Sequence, residues 1–451
     1  MSGKKIYSEL TQTIKIMTKL FLVLATVLIA MPNFSFSQTL VLAKEISVNK
    51  QRIETRIAEL SQFGKEANGK SYRVAFSKAD QQGRAYFIDL MKKAGLNVSV
   101  DFAGNIIGKR DGKNPSKKPI AFGSHIDMVP AGGNYDGCVG SMGALEVIET
   151  LNENNIITES PLQIIIFSDE EGGTIGSSAL AGNFKKEALK IVSQSGLTIN
   201  DGIKAIGGNP DSIDKIKMKN GDLKCFLELH IEQGGILEAY NLPIGVVEGI
   251  VGIEHWEVVV EGFANHAGTT PMNKRRDALL ATSKLIVGVN EVVNSYEGNQ
   301  VGTVGKLSVE PNAPNVIPGK VIFTLELRDL SESKILKLFK DIQNRADVIA
   351  KNSGTKITFT NMNVSSKPAL TNKSIQTLIK NSSTKLGLKY KMMQSGAGHD
   401  TQEMAFVAPT GMIFIPSVGG ISHSPKEFTK STDMANGANV LLQTILAIDK
   451  D

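Results

Sequence analysis

Six histidines are spread over this 451-residue chain. Five of them stand in polar, glycine-flanked contexts: His125 in GSHID, His230 in ELHIEQG, His266 in NHAGTTP, His399 in GAGHD and His423 in GISHSP. One histidine alone is more often structural than a ligand. Several of these follow an apolar run, however, and binding sites of open α/β sheets lie at the C-terminal ends of strands. The sixth, His255 in IEHWEV, sits within a strand pattern facing solvent or a neighbouring side chain, and is assigned no role. The stretch FSDEEGG, Phe167–Gly173, follows LQIII, so a buried strand would deliver three consecutive carboxylates to one loop. A solvated acidic turn is the plain alternative. Three like charges at the end of an apolar strand repel one another unless something positive holds them. A divalent metal would do so, with histidines as its neutral ligands. GSHIDMVPAGGNYDG, residues 123–137, adds Asp127 and Asp136. A hydrolytic pair of ions roughly 3.5–4 Å apart needs a bridging carboxylate, terminal His or carboxylate ligands and a carboxylate base. Asp136, between glycine-rich flanks, suits the bridge. Spacing alone does not assign the other roles.

The elements that must position these residues read as an α/β chain. Helical patterns cover Lys50–Phe63 and Lys78–Ala94, strand signals Asn97–Asp101, Ile106–Lys109 and Pro119–Gly123, and a helix about Met142–Leu151 precedes the strand Leu162–Ser168. Strands alternating with helices at this spacing predict a sheet with helices on both faces. From about Ile250 the order becomes β-α-β-β-α-β, with strands in HWEVVVEGF, QVGTVGKLSVE, KVIFTLELRD and TKITFTNM and helices over Arg276–Asn294 and Glu332–Lys351. That is the ferredoxin-like split βαβ. We expect a catalytic domain in two segments, 45–248 and 365–451, with a ferredoxin-like domain inserted at 249–364. The second segment ends in an amphipathic helix near Thr432–Ile448.

A chain of this length predicts more than one domain. Its content, 41% hydrophobic and 21% charged, is that of a globular protein. Lys15 and Lys19 precede the apolar run Leu20–Met31, and SFSQ (Ser35–Gln38) follows. Twelve residues are too few to span a bilayer comfortably. The pattern is that of a secretory signal, residues 1–37, cut between Ser37 and Gln38, with a membrane anchor as the alternative. Met17 could be the true start. A periplasmic or secreted protein without stable membrane association follows. The formal charge of +5 includes four lysines and one glutamate in residues 1–37, so about +2 remains after cleavage and no basic tract argues for nucleic acid. With only Cys138 and Cys225 there is no disulfide framework. Cys138, two residues after Asp136, reads as a buried reduced thiol.

GSHIDMVPAGGNYDG, FSDEEG, ELHIEQG, FANHAGTTPM, SGAGHD and GISHSPKE occur in the order seen in the M20 metallopeptidase-like family. They resemble its amidohydrolase branch, the N-carbamoyl-L-amino acid hydrolases and allantoate amidohydrolases, over about residues 45–450. The resemblance implies an aminopeptidase-like catalytic fold and two divalent ions per subunit, Zn, Mn or Co. It gives His125, Asp136 and His230 to one ion and Asp136, Glu171 and His423 to the other. Glu170 matches the general base. Asp127 would orient the His125 imidazole by accepting its other N–H. His266 resembles a histidine that crosses a dimer interface to stabilise the oxyanion, which implies a homodimer through the inserted domain. Gln233, Asn315, Arg328 and His399 match substrate-contacting positions, Asn315 and Arg328 for a substrate carboxylate. Peptidase members commonly carry a carboxylate where His230 stands, so His230 and Gln233 favour the amidohydrolase branch. The implied activity is cleavage of the ureido C–N bond of N-carbamoyl-L-amino acids. Allantoate hydrolysis is the alternative, followed by an exopeptidase and a non-catalytic binding protein.

Overall fold

The computed structural model describes residues 46–450, with positions 11–13, 15 and 17. The expected apolar signal run and its cut at Ser37 lie outside the described residues. Among the described residues no helix is long and apolar enough to cross a membrane.

Among the described residues, fourteen strands and the helices between them build two main sheets, and two further strands pair with each other in a small ribbon. The first strands are β1 (Asn97–Val100), β2 (Ile106–Arg110), β3 (Ile120–His125), β4 (Leu162–Phe167), β5 (Cys225–Ile231) and β6 (Ile244–Ile250). Then come β7 (Gly252–Glu261), β8 (Asn265–His266), β9 (Val301–Thr303), β10 (Leu307–Glu310), β11 (Val316–Ile317) and β12 (Lys320–Asp329). The last are β13 (Lys356–Ser366), β14 (Ala369–Leu370), β15 (Tyr390–Ser395) and β16 (Thr410–Ile415). A nine-stranded sheet runs β1-β2-β4-β3-β5-β16-β6-β14, with β15 beside β6. Its centre is parallel: β4 with β3, β3 with β5 and β5 with β16. Every residue of these four strands is buried, as expected of parallel strands covered on both faces. The helix Cys138–Glu153 packs on β3 and β5, and the helix Ser431–Lys450 packs on it and on β16.

The chain leaves β3 for β4 on one side and later returns to β5 on the other. This reversal opens a crevice at the C-terminal ends of β3, β4 and β5, where ligands of open α/β sheets bind. Strand β3 runs two residues beyond the expected Gly123, so His125 is its last residue, opposite Phe167 at the end of β4. The helix expected from Met142 starts at Cys138, immediately after the Asp136 loop.

The five-stranded sheet runs β10-β12-β7-β13, with β9 beside β12. The first and third strands of the β-α-β-β-α-β run, β7 and β12, form its central pair. Burial alternates along all ten residues of β12, so one face is apolar and the other polar. Helices Ala278–Asn294 and Glu332–Ser353 cover the apolar face, where Trp256, Val258, Phe323, Leu325, Leu285 and Leu338 pack together. Strands β8 and β11 form a separate two-stranded ribbon.

Candidate metal centre

Five expected ligands meet at the crevice. His125 ends β3, Asp136 lies in the loop before the helix Cys138–Glu153, and Glu171 follows β4. His230 is the next-to-last residue of β5, and His423 comes from the loop after β16. His125, Asp136 and His230 form one trio and Asp136, Glu171 and His423 another, the ligand atoms of each trio lying within 4.8 Å of one another.

Asp136 divides its two oxygens between the trios. Oδ1 lies 3.0 Å from His230 Nε2 and 3.8 Å from His125 Nε2. Oδ2 lies 3.2 Å from His423 Nε2, whose other near neighbour is Glu171 Oε2 at 3.4 Å. The first trio is sealed, its side chains at most 5% exposed, whereas the His423 side chain is 49% exposed.

The histidine tautomers fit a cation. The Nδ1–H of His125 donates to the Asp127 carbonyl at 3.2 Å, and that of His230 to the Ile231 carbonyl at 2.9 Å. His125 Nε2 then presents its lone pair inward, while His230 Nε2 lies 3.2 Å from the Gly137 amide and 3.0 Å from Asp136 Oδ1. His125 Nε2 and Glu171 Oε1 are buried without a hydrogen-bond partner, which is costly unless an ion takes them. Burial depresses His125 to about 4, so its imidazole is neutral and able to ligate. Burial also pushes Glu171 up to about 8, with Asp136 beside it adding to the rise. Burial opposes protonation of His230, but Asp136 outweighs it and raises the imidazole to about 9. His423 rises to about 9 chiefly through its hydrogen bond with Asp136. Protons are thus held between bases at the places a divalent ion would occupy. A third grouping, Glu228, His230 and His399, is less suited. Both Glu228 oxygens already accept, one from Ser124 Oγ and the other from the Thr401 N–H and hydroxyl.

Glu170 Oε2 lies 3.7 Å from His125 Nε2. Burial, then Asp400 and Glu171, hold its carboxyl well above the usual range, which suits a group that must both take and return a proton. Gly137 is required by crowding: at φ +62°, a Cβ there would fall 2.3–2.4 Å from the His125 ring.

The surrounding residues depart from expectation in part. It is the main chain of Asp127, not its carboxylate, that holds the His125 ring. The carboxylate Oδ1 is 3.6 Å from Nδ1, and Oδ2 instead accepts the Glu171 N–H at 3.2 Å. Asp127 therefore ties the β3 loop to the β4 loop. Gln233, at φ +60°, donates its amide to Asp136 Oδ2 at 2.7 Å, and its Oε1 is buried without a partner. His399 is buried, with Nε2 on Ser395 Oγ at 2.8 Å, its ring edge-on to His230 at 4.4 Å and its Nδ1 without a hydrogen-bond partner.

The β8–β11 ribbon and the five-stranded sheet carry the rest. His266 and Asn315 are exposed and share the β8–β11 ribbon, the Ala267 N–H donating to the Asn315 carbonyl at 3.0 Å. His266 Nδ1 accepts from the Gly268 and Thr269 amides, which leaves Nε2–H as a donor. Arg328 donates from Nε and Nη2 to Glu326 at 2.7 and 3.0 Å, and from Nη1 to the Gly396 carbonyl at 2.7 Å. Two of its five N–H groups remain for a ligand. His255 does face a neighbour, with Nε2 2.8 Å from Glu326 Oε2. Among the described residues no hydrogen bond or ion pair joins His266, Asn315 or Arg328 directly to the two trios. Sequence reasoning missed Glu427. It is buried beneath the Asp136 loop, and the only signal for it was its place in GISHSPKE. Both cysteines are buried and unpaired, and burial raises Cys138 to about 11.

An open α/β sheet with two histidine–carboxylate trios sharing one aspartate at its switch point defines a metal-dependent hydrolase. Residues 121–447 match the family described as Peptidase family M20/M25/M40, and the chain belongs to it. An N-carbamoyl-L-amino acid amidohydrolase of Geobacillus stearothermophilus is 37% identical over 403 residues, spanning 88% of this chain and 98% of that protein. A ureidoglycolate hydrolase of Arabidopsis thaliana is 38% identical over 422 residues, spanning 91% and 89%. Among solved structures, a hydantoinase/carbamoylase family amidase from Burkholderia multivorans matches with a TM-score of 0.84 at 33% identity, covering 90% of this chain and 99% of that one.

Proposed function

We propose that this hydrolase cleaves the ureido C–N bond of N-carbamoyl-L-amino acids, giving the amino acid, carbon dioxide and ammonia. It would use two divalent ions, Zn, Mn or Co, held by His125, Asp136 and His230 and by Asp136, Glu171 and His423. The observation that carries the reading is the division of Asp136, one oxygen toward each trio. The amidohydrolase names of the relatives supply the substrate class, and imidazole at position 230 agrees with them. Bound ions would supply Lewis acidity toward water and the scissile carbonyl. Glu170 takes a proton from the attacking water and delivers it to the departing amino nitrogen. The free N–H groups of Arg328, with Asn315, grip the substrate carboxylate and fix the ureido group over the trios. The carbamate that remains breaks down to carbon dioxide and ammonia.

His266 acts from a second copy of the chain, donating its Nε2–H to the oxygen that gains charge. Its exposure and its tautomer support that role. Residues 1–37 direct export and are removed, which the basic and apolar run at the N-terminus supports. N-terminal sequencing of the mature protein should read from Gln38.

The test is ammonia release by protein starting at Gln38, loaded separately with Zn, Mn and Co and run with a chelator control. We expect chelator-sensitive turnover of N-carbamoyl-L-amino acids above that of allantoate or ureidoglycolate. A reversed preference would replace the substrate while keeping the bond class. Free amino acids from dipeptides, without ammonia from any ureido compound, would overturn the reading in favour of a peptidase.

A further inference from the structure

The loops that carry Asp136 and His423 are almost 290 residues apart in sequence, yet a single buried side chain holds both. Glu427 Oε1 accepts the backbone N–H groups of Tyr135 at 2.9 Å and Asp136 at 3.0 Å. Glu427 Oε2 accepts the backbone N–H of His423 at 3.2 Å and meets the Ser422 hydroxyl at 2.8 Å. That hydroxyl also lies 2.9 Å from Asp136 Oδ2, so its one proton sits between the two carboxylates. Each oxygen of Glu427 is thus committed to one loop. Neither is spare for an ion, so Glu427 is a support for ligands and not a ligand itself.

Two further observations show that the fit is built around this carboxylate. A Cβ on Gly133 would fall 2.1 Å from Glu427 Oε1, so the loop approaches it as closely as glycine allows. His423 holds φ +53°, a left-handed conformation that non-glycine residues rarely adopt. Its backbone N–H is one of the four groups that Glu427 binds. The sealed trio has other supports: strand ends fix His125 and His230, and carbonyls fix their rings. The half-exposed His423 comes from a loop and has no such support.

We propose that Glu427 is a positioning residue that builds the second ion's half of the site by locking the His423 loop to the Asp136 loop. This rests on the two-ion reading above. Removing the carboxylate should release His423 and cost the Asp136–Glu171–His423 half its ion, while the sealed half keeps its own.

The experiment strips the full-length mature protein of metal and titrates it with Mn(II). Bound ions are counted by elemental analysis, and the Mn(II) electron paramagnetic resonance spectrum is recorded for wild type, E427Q, E427D and H423A. Wild type should bind two ions and show the spectrum of an interacting pair. E427Q should hold one tight ion with an isolated-ion spectrum like that of H423A, its second site weakened about tenfold or more. E427D, which keeps the charge, should recover part of the second site. The metal-free variants should melt close to metal-free wild type. Two ions of unchanged affinity and a paired spectrum in E427Q would overturn the role of Glu427. So would a metal-free E427Q that fails to fold, because Glu427 would then belong to the fold. A single ion in wild type would instead overturn the two-ion reading itself.

Discussion

The nine-stranded and five-stranded sheets place their functional polar residues under different constraints. In the first, parallel strands buried on both faces end at one crevice, and polar side chains there must find partners or an ion. His125, Asp136 and His230 interlock for that reason, with tautomers fixed by carbonyls. In the second, an antiparallel sheet with one polar face lets residues sit in water without penalty. Arg328 is accordingly part-exposed there, and His266 and Asn315, at the separate β8–β11 ribbon, are exposed. His266 Nε2–H and two Arg328 N–H groups stay free of protein partners among the described residues. Burial makes the first set a preformed cluster, while on the proposed reading the second would be completed only when substrate or another subunit arrives.

The comparison can be broken first at its sealed end. Glu170→Gln should lower kcat by about 10²–10⁴-fold with metal content unchanged. Activity close to wild type would remove Glu170 as the base. At the exposed end, Arg328→Gln should act mainly on KM, raising it roughly 10–100-fold, as expected for loss of charge-assisted hydrogen bonds. If kcat fell and KM held, Arg328 would belong with the preformed set.

The smallest effect is on stability. In the metal-free protein Glu171 and Asp169 are raised to about 8, Asp169 chiefly by burial, and His230 and His423 to about 9. Each folded-state value exceeds its unfolded one, so each group binds more protons when folded. Stability is lost as pH rises through those values. His125, depressed to about 4, works in the other direction, but only between about 6.5 and 4. Metal-free protein should therefore lose a few degrees of melting temperature between pH 6.5 and 9. Added divalent metal, replacing the protons, should flatten the slope. Equal slopes with and without metal would mean that these groups do not face the ion.

What could be read from the sequence follows the same division. The candidate ligands at the parallel strand ends were legible because an apolar run announces each strand and a polar, glycine-flanked motif announces its end. The alternation in β12 and the long helices Ala278–Asn294 and Glu332–Ser353 were legible by periodicity. Hydrogen-bond partners were not. Asp127 was expected to accept the other N–H of His125, and it does so through its main-chain carbonyl, while its carboxylate is turned to the Glu171 N–H by a loop arriving from another strand. His399 was expected at the substrate; it is buried edge-on to His230, with its Nδ1 lacking a hydrogen-bond partner, a placement no local pattern reveals. Glu427 joins segments whose proximity depends on β16 lying beside β5, a pairing no local pattern reveals.

That pairing has a consequence for how the protein is made. β5 ends at Ile231, and the strand that completes its hydrogen bonding on one side, β16, begins only at Thr410. In between, the ribosome must produce the whole five-stranded sheet. Throughout that interval a strand that is buried along its whole length in the finished fold has an open edge, the kind of surface that recruits other chains. A nascent chain is therefore most vulnerable to aggregation until β16 has been made, and a chaperone would have most to protect at β5.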